Sequence, residues 1–226
     1  EQAVEMMRGI TDSVGEFPES EWVRIMAVDT GLTTVETTLP PPFNYLELDQ
    51  GEDIFLEATQ DFHIRSVGRL SVIQLIASQQ ALGIPSEYPG GDPAMIVVPP
   101  VGQWRTEYVF LTPGFYAFDF ITIVAPAEAA ILLDGEPLDP LACSASAADG
   151  ILRNPGDPPP THMAYRCQLS FPDLIGPAPL IRVEEGNQDD GYHTIQATAP
   201  VSIVVTGFDA YVSYAYAGVM NLGTID

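Results

Sequence analysis

An all-β fold is predicted, built as two related antiparallel β-sandwich-like halves from an internal duplication. Three observations predict it. First, one stretch is echoed without a gap by another: Asp61-Phe-His-Ile-Arg-Ser-Val-Gly-Arg-Leu-Ser-Val-Ile-Gln-Leu-Ile76 by Tyr192-His-Thr-Ile-Gln-Ala-Thr-Ala-Pro-Val-Ser-Ile-Val-Val-Thr-Gly207. The alignment places Ile64 on Ile195, Leu70 on Val201, Ser71 on Ser202 and Val72 on Ile203. Each copy reads as a half-buried strand, a tight turn and a nearly continuous apolar strand, the pattern of a β-hairpin. Second, runs rich in β-branched and aromatic residues recur along the whole chain, with Gly, Pro, Asn and Asp crowding the gaps between them. Third, only 4–8 and 79–82 carry a helical pattern, and both are too short to organise a core.

Taken in order, strands are expected at 22–28, 33–38, 54–58, 62–66 and 70–77. A middle group follows at 95–98, 106–111, 118–125 and 130–133, and a last group at 165–169, 180–184, 192–197, 201–207 and 211–217. Pro-Pro-Pro at 40–42 and again at 158–160 excludes a central strand or a helix interior at either place. The repeat extends further, because Val23-Arg-Ile-Met-Ala-Val28 is similar to Ile121-Thr-Ile-Val-Ala-Pro126 and each leads into a second short strand. The chain therefore divides into an N-terminal extension at 1–21, a first half with its connecting loop at 22–93 and a second half at 94–226. The second half holds a Pro- and Gly-rich insertion at about 136–190 that carries both cysteines. Residues 81–93 read as an ordered surface loop, since apolar and aromatic residues interrupt the turn formers.

Charge restricts the partners. There are 31 acidic residues against 8 basic ones, a net charge of -23, and every basic residue is arginine. Such a surface repels phosphate backbones and anionic headgroups, which disfavours nucleic acid, and it favours cations or a cationic partner. An acidic, lysine-free surface is also what a saline habitat produces. No apolar run is long enough for a membrane-spanning helix, so membrane insertion is not expected. Glu1-Gln-Ala-Val-Glu-Met-Met-Arg8 lacks the charged-then-apolar order of a signal peptide, and a mature or truncated start, with or without a removed signal, is the expectation.

Cys143 and Cys167 bracket part of the insertion. In an exported protein they are expected to form one disulfide, worth about 3 kcal/mol on the loop-entropy argument; in a reducing compartment they would be two isolated thiols. His63, His162 and His193 have no zinc-like spacing and are expected to be solvent-facing or hydrogen-bonded strand residues. No Gly-x-Ser-x-Gly elbow occurs, and Ser71 and Ser202 lie mid-strand, so hydrolase chemistry is not expected. Acidic turns at 49–53, 134–139 and 184–191 gather oxygens around glycine as calcium loops do, with Asp189 and Asp190 as the candidate ligands; turn formation alone explains the same residues. No other cofactor is implied. Among the aromatics, Tyr88, Trp104, Tyr211 and Tyr214 are the candidate binding surface, against the alternative that such rings pack between sheets.

Three pieces in order, Ile76-Ala-Ser-Gln-Gln80, Gly91-Asp-Pro-Ala-Met-Ile-Val-Val-Pro-Pro-Val101 and Glu107-Tyr-Val-Phe-Leu-Thr-Pro113, resemble the IgGFc-binding protein N-terminal domain family. Leu133-Asp-Gly135, Tyr165-Arg-Cys-Gln-Leu169, Gly191-Tyr-His193 and Gly207-Phe-Asp-Ala-Tyr-Val-Ser-Tyr-Ala-Tyr216 continue the resemblance over roughly 22–218. The chain is most similar to the exported, acidic, lysine-poor bacterial members, myxobacterial ones in particular. The resemblance implies a non-enzymatic exported module for adhesion, binding or structure, secreted or on the cell surface. Its partner would be a protein, a glycan or further copies of itself in a surface or extracellular assembly. Exposed strand edges suit the last of these, and 1–21, which has no clear place in the repeat, is the segment expected to exchange between copies. It carries over no catalytic residues, and fold transfers more safely than partner. The alternative function is a carbohydrate-active enzyme or lectin-like glycan binder on a β scaffold.

Overall fold

The computed structural model describes residues 21–81, 83–86, 88–176 and 182–218. Within them the fold is all-β, with sixteen strands and one turn of 3-10 helix at Val101–Gln103. The 4–8 helical pattern and nearly all of the 1–21 extension lie outside the described residues. Residues 79–81 form a turn rather than a helix. Gln79 is buried there, and its side chain bonds Pro85 O (2.8 Å) and receives the Gly90 amide (3.3 Å).

The first half is a sandwich of two sheets. β4 (Asp53–Ala58), β1 (Glu21–Ala27), β6 (Leu70–Ile76) and β7 (Ala94–Val97) pair in that order; β3 (Tyr45–Leu48), β2 (Thr33–Thr37) and β5 (Ile64–Ser66) form the opposing sheet. Strand alternation turns Val23, Ile25 and Ala27 of β1 inward onto Val35, Leu48 and Leu56, and these form a dry core. β7 was expected to open the second half, but it is hydrogen-bonded to β6 and closes the first.

The second half repeats this plan with a larger sheet. β9 (Phe118–Pro126) lies between β13 (His162–Ile175) and the long β15 (Gly191–Asp209), with β16 (Val212–Ala217) outside β15. The first part of β15 crosses into the opposing layer, where it pairs β10 (Ile131–Leu133) on one side and β8 (Arg105–Thr112) on the other. Ile121, Ile123, Ile203 and Val205 face Tyr108, Phe110 and Ile195 across the layers.

The two halves use corresponding ladders. Ile25 opposes Val72 as Ile123 opposes Ile203, and Thr37 opposes Ile64 as Leu133 opposes Ile195. A turn contact is also matched. Thr38 N donates to His63 O (3.2 Å) while His63 N donates to Thr38 Oγ1 (3.0 Å); Asp134 N donates to Thr194 O (2.9 Å) while Thr194 N donates to Asp134 Oδ1 (2.7 Å).

Neither copy of the repeat is a hairpin, however. β5 pairs β2 while β6 pairs β1 and β7, so the first copy turns a corner between sheets. In the second copy the same corner is a bend within β15, where the register shifts between Gln196 and Val201. A corner and a hairpin need the same turn residues; only the partner strands distinguish them. The structure also adds three strands that the sequence pattern missed: β3, β11 (Glu136–Pro137) and β12 (Cys143–Ala147). β12 reads Cys-Ser-Ala-Ser-Ala and has weak β propensity, and it is held as an edge strand by β13 and by the Cys143–Cys167 disulfide directly across the ladder.

About half of the 136–190 insertion is sheet, with β13 and β14 (Arg182–Asn187) inside it, and part of it clamps the halves together. Arg166 pairs with Asp61, Ser146 Oγ donates to Asp61 Oδ2 (2.9 Å), and Thr38 Oγ1 donates to Asp149 O (2.7 Å). Gly150 lies so close to the Asp61 carbonyl that a Cβ would stand 1.9 Å from it. A second contact between the halves is apolar: Phe118, Phe120 and Phe208, on the outer face of the β9–β15 ladder, meet Ile76 and Ile96. The 81–93 segment is partly built into this join, contrary to its reading as a surface loop. Ile84 and Tyr88 are buried, Gly91 N donates to Asp209 O (3.0 Å), and Asp92 N donates to Ser213 Oγ (2.9 Å).

Gly91 has φ +81, and a Cβ there would sit 2.4 Å from Ser213 Oγ and 2.6 Å from Phe208 Cδ1. Gly91→Ala is expected to lower unfolding stability by about 2 kcal/mol, combining left-handed strain with displacement of the join. Urea titration followed by tryptophan fluorescence measures it; an unchanged midpoint would show that the join contributes little to stability.

Candidate interaction surface

Strand alternation also fixes what the first half turns away from its core. Residues directly opposite in an antiparallel ladder share a face, so Glu57, Trp22, Leu75 and Met95 form one row and Phe55, Arg24, Ile73 and Val97 the next. These side chains lie on the outer face of the four-stranded sheet. Phe55, Met95 and Val97 are at least half exposed, at 51%, 60% and 50%. Trp22 stacks on Phe55 with ring centroids 5.2 Å apart. At the far side of the second row Arg24 makes a two-pronged contact with Asp53, 2.8 Å on each prong, which holds the Asp53 carboxyl below its usual range. Trp, Phe, Met and Arg without lysine are enriched in protein-binding surfaces, and Glu57 stands at the β4 side of this one. The signal for this face was present in β6, whose run Leu-Ser-Val-Ile-Gln-Leu-Ile is apolar on both faces and so calls for cover on both.

The four aromatics expected to form a binding surface do not come together. Tyr88 is buried. Trp104 is half-buried, set edge-on to the His162 ring, with its indole N–H directed at Pro99 O (3.4 Å). Tyr211 is exposed at the β15–β16 turn with φ +59. Tyr214 points into the second core, because Tyr214 and Tyr216, two apart on β16, share the inward face of the sheet. A smaller apolar area of Val109, Leu111 and Tyr192 lies on the β8–β15 face, which also holds a depression of about 380 Å³ lined by Arg105, Glu107, Val109, Thr194 and Gln196.

One end of the second core is polar and tightly bonded. Tyr214 Oη donates to Asp119 Oδ1 (2.5 Å), and Tyr116 meets the Tyr214 ring edge-on. Asp119 is fully buried on β9. Burial raises its carboxyl above the ordinary range, opposed by the hydroxyls of Ser170 and Tyr214, while Oδ2 makes no hydrogen bond of ordinary geometry. Burial and the facing carboxylate push the Tyr214 hydroxyl upward, so it remains a donor.

Beside this pair, His193 Nδ1 lies 2.7 Å from Asp134 Oδ2, and Nε2 lies 3.1 Å from both Thr112 Oγ1 and Asp189 O. Asp134, His193 and Thr112 have the order of a catalytic triad, but Thr112 is 1% exposed and its hydroxyl donates to Asp189 O (2.8 Å). That hydroxyl is committed to backbone and shielded from substrate, so the group acts as a pin joining β8, β10 and β15. His63 is exposed and His162 contacts Thr161 and Trp104.

One of the two proposed calcium ligands, Asp189, takes part in the same pin through its main chain. Asp189 supplies its carbonyl to Thr112 and its amide to Ser170 Oγ (3.3 Å), while Asp189 and Asp190 themselves are exposed. Among the described residues no group of three or more His, Cys, Asp and Glu is placed to hold a metal ion. The calcium expectation thus rests on two carboxylates alone.

Asp119→Asn tests the polar end. A raised folded-state pKa means that Asp119 favours folding below its unfolded value, 3.8, and that this advantage is lost as pH rises through the folded value. The stability of Asp119→Asn relative to the parent should therefore improve from acid to neutral pH, measured by denaturant unfolding across the range. A difference independent of pH would refute the assignment.

Residues 9–207 match the sequence model of a family described as IgGFc binding protein. Neither the curated proteins nor the solved structures contain a match to the chain.

Proposed function

We propose that this chain, which belongs to the IgGFc binding protein family, is a non-enzymatic module that binds a protein partner through the outer face of the β4–β1–β6–β7 sheet. The observation that carries the reading is a pair of rows, apolar but for Glu57 and Arg24, in which Phe55, Met95 and Val97 are at least half exposed and Trp22, Ile73 and Leu75 half-buried. Contiguous exposed apolar surface of this kind marks a binding site more often than an accident of folding. The family description names a protein ligand, which favours protein over glycan. The net charge of -23 adds long-range attraction toward a cationic partner surface.

The same reading places the protein outside the cell, secreted or on a bacterial surface, as an adhesive or structural unit. The Cys143–Cys167 disulfide fits an oxidising compartment. No helix among the described residues is long and apolar enough to cross a membrane. The corresponding ladders of the two halves support an origin by duplication, in which matched positions form scaffold and unmatched surfaces carry specificity.

The test presents the full chain to an immunoglobulin Fc fragment, to a second copy of itself and to a glycan array, beside a glycan hydrolysis assay. A protein ligand is expected. Leu75→Ser with Met95→Ser should weaken its binding at least about tenfold, the loss of ~1.4 kcal/mol expected on removing apolar anchors, with an unchanged circular dichroism spectrum. Glycan binding or turnover without protein binding, or protein binding indifferent to these substitutions, would overturn the proposal.

A further inference from the structure

Among the described residues, two buried side-chain atoms have no hydrogen-bond partner: Asp119 Oδ2 and Gln188 Oε1. Both are oxygens that accept, so what each lacks is a donor or a cation. The topology brings them to one end of the second sandwich. Asp119 alternates with Phe118 and Phe120, which face outward, so its side chain points between the layers with Ile121 and Ile123. Its Oδ1 is held toward β16 by the Tyr214 hydroxyl (2.5 Å). Ser170, its register partner on β13, lies on the opposite side of β9. Ser170 Oγ receives the Asp189 amide (3.3 Å), which sets residues 188–190 beside it as the chain enters the opposing layer at Gly191, across from Thr112.

We infer that Asp119, Gln188 and Asp190, with the Ser170 hydroxyl beside them, form a calcium site at this end of the sandwich. Gln188 Nε2 donates to Glu185 O, and because that carbonyl only accepts, the amide is fixed with Oε1 as its buried end. Asp190 Oδ2 is turned toward the connection between β8 and β9, 3.4 Å from where a Cβ on Gly114 would stand. Its charge reaches Asp119 and opposes ionisation there, and no arginine offsets the pair. A proton on Asp119 would satisfy one carboxyl group and leave Asp190 as it is, whereas a divalent cation neutralises both carboxylates and takes the Gln188 oxygen as well. The donor set selects the ion. It is oxygen throughout, drawn from carboxylate, amide and hydroxyl on separate elements, which suits the irregular coordination of calcium better than the strict octahedron of magnesium. Zinc would need imidazole or thiolate. The His193 nitrogens are held by Asp134, Thr112 and Asp189 O, and both cysteines are in the disulfide. The site uses Asp190 of the acidic turn, while Asp189 contributes only main chain to the neighbouring pin. It is independent of the apolar sheet face on the first half.

The experiment follows thermal unfolding of the full chain, freed of divalent ions by chelator, in about 0.15 M sodium chloride to screen the acidic surface. Calcium chloride should raise the melting temperature saturably, by at least about 3 °C, and magnesium chloride should do so less. A direct readout is terbium luminescence excited through tyrosine, since Tyr214 touches Asp119 and Tyr116 meets Tyr214; calcium should displace the signal. Asp119→Asn should abolish both effects. Asp190→Ala and Gln188→Ala should each raise the calcium concentration needed by at least about tenfold, and they decide the matter if Asp119→Asn does not fold. Glu184→Ala, an exposed acid on β14, should change nothing. No response to calcium would overturn the site, as would a response that survives all three substitutions, which would show diffuse binding to the acidic surface. Equal responses to magnesium and calcium would overturn the choice of ion.

Discussion

The antiparallel ladder between β9 and β15 is the constraint on which the rest of the molecule depends. Its inward side chains, Ile121, Ile123, Ile203 and Val205, fill the second core. Its outward ones, Phe118, Phe120 and Phe208, form the surface on which the first half rests through Ile76 and Ile96. Because successive side chains alternate, one ladder can serve two cores only if both of its faces are apolar. That requirement explains the near-continuous hydrophobic character of both strands. It also explains why a glycine is needed at residue 91, where the connection passes within contact of Phe208.

Polar groups buried at the edge of this arrangement must be paired, and their pairing locks strands rather than preparing a reaction. Asp119 and Tyr214 join β9 to β16, while Asp134, His193 and Thr112 join β10, β15 and β8. Tyr216 extends the same logic from a neighbouring position, since its hydroxyl both receives the Leu111 amide and donates to the Leu111 carbonyl. These backbone groups lie on the free side of β8, so the tyrosine covers part of an edge that would otherwise accept another strand. The first half has the matched turn at Thr38 and His63 without the buried histidine pin.

The halves are thus alike in scaffold and unlike in what they leave uncovered. The outer face of the β9–β15 ladder is occupied by the first half, whereas the outer face of β1 and β6 carries Trp22, Leu75 and Ile73 toward solvent. The clamp through Asp61, Ser146 and Arg166 holds the halves in register, so these surfaces are presented on a fixed frame. A rigid sheet face costs little conformational entropy on binding, which suits an adhesive or structural unit.

From sequence alone, the all-β class, most strand positions and the matching of 61–76 with 192–207 were determined, because alternation, turn residues and spacing are local properties; the disulfide was expected only for an exported chain, and the structure forms it. Strand partners were not. The same turn at 66–69 serves a hairpin or a corner, and only the pairing of β5 with β2 and of β6 with β1 decides which. Weakly patterned strands such as β12 were invisible because their stability comes from a ladder and a covalent bond to β13. Aromatic residues were legible as important but not as inward or outward. Tyr88 and Tyr214 turned inward, whereas Trp22 and Phe55, on strands whose other face fills the core, were left outside. Which face of a strand meets solvent depends on what packs over it, and that is fixed by contacts between residues far apart in the chain.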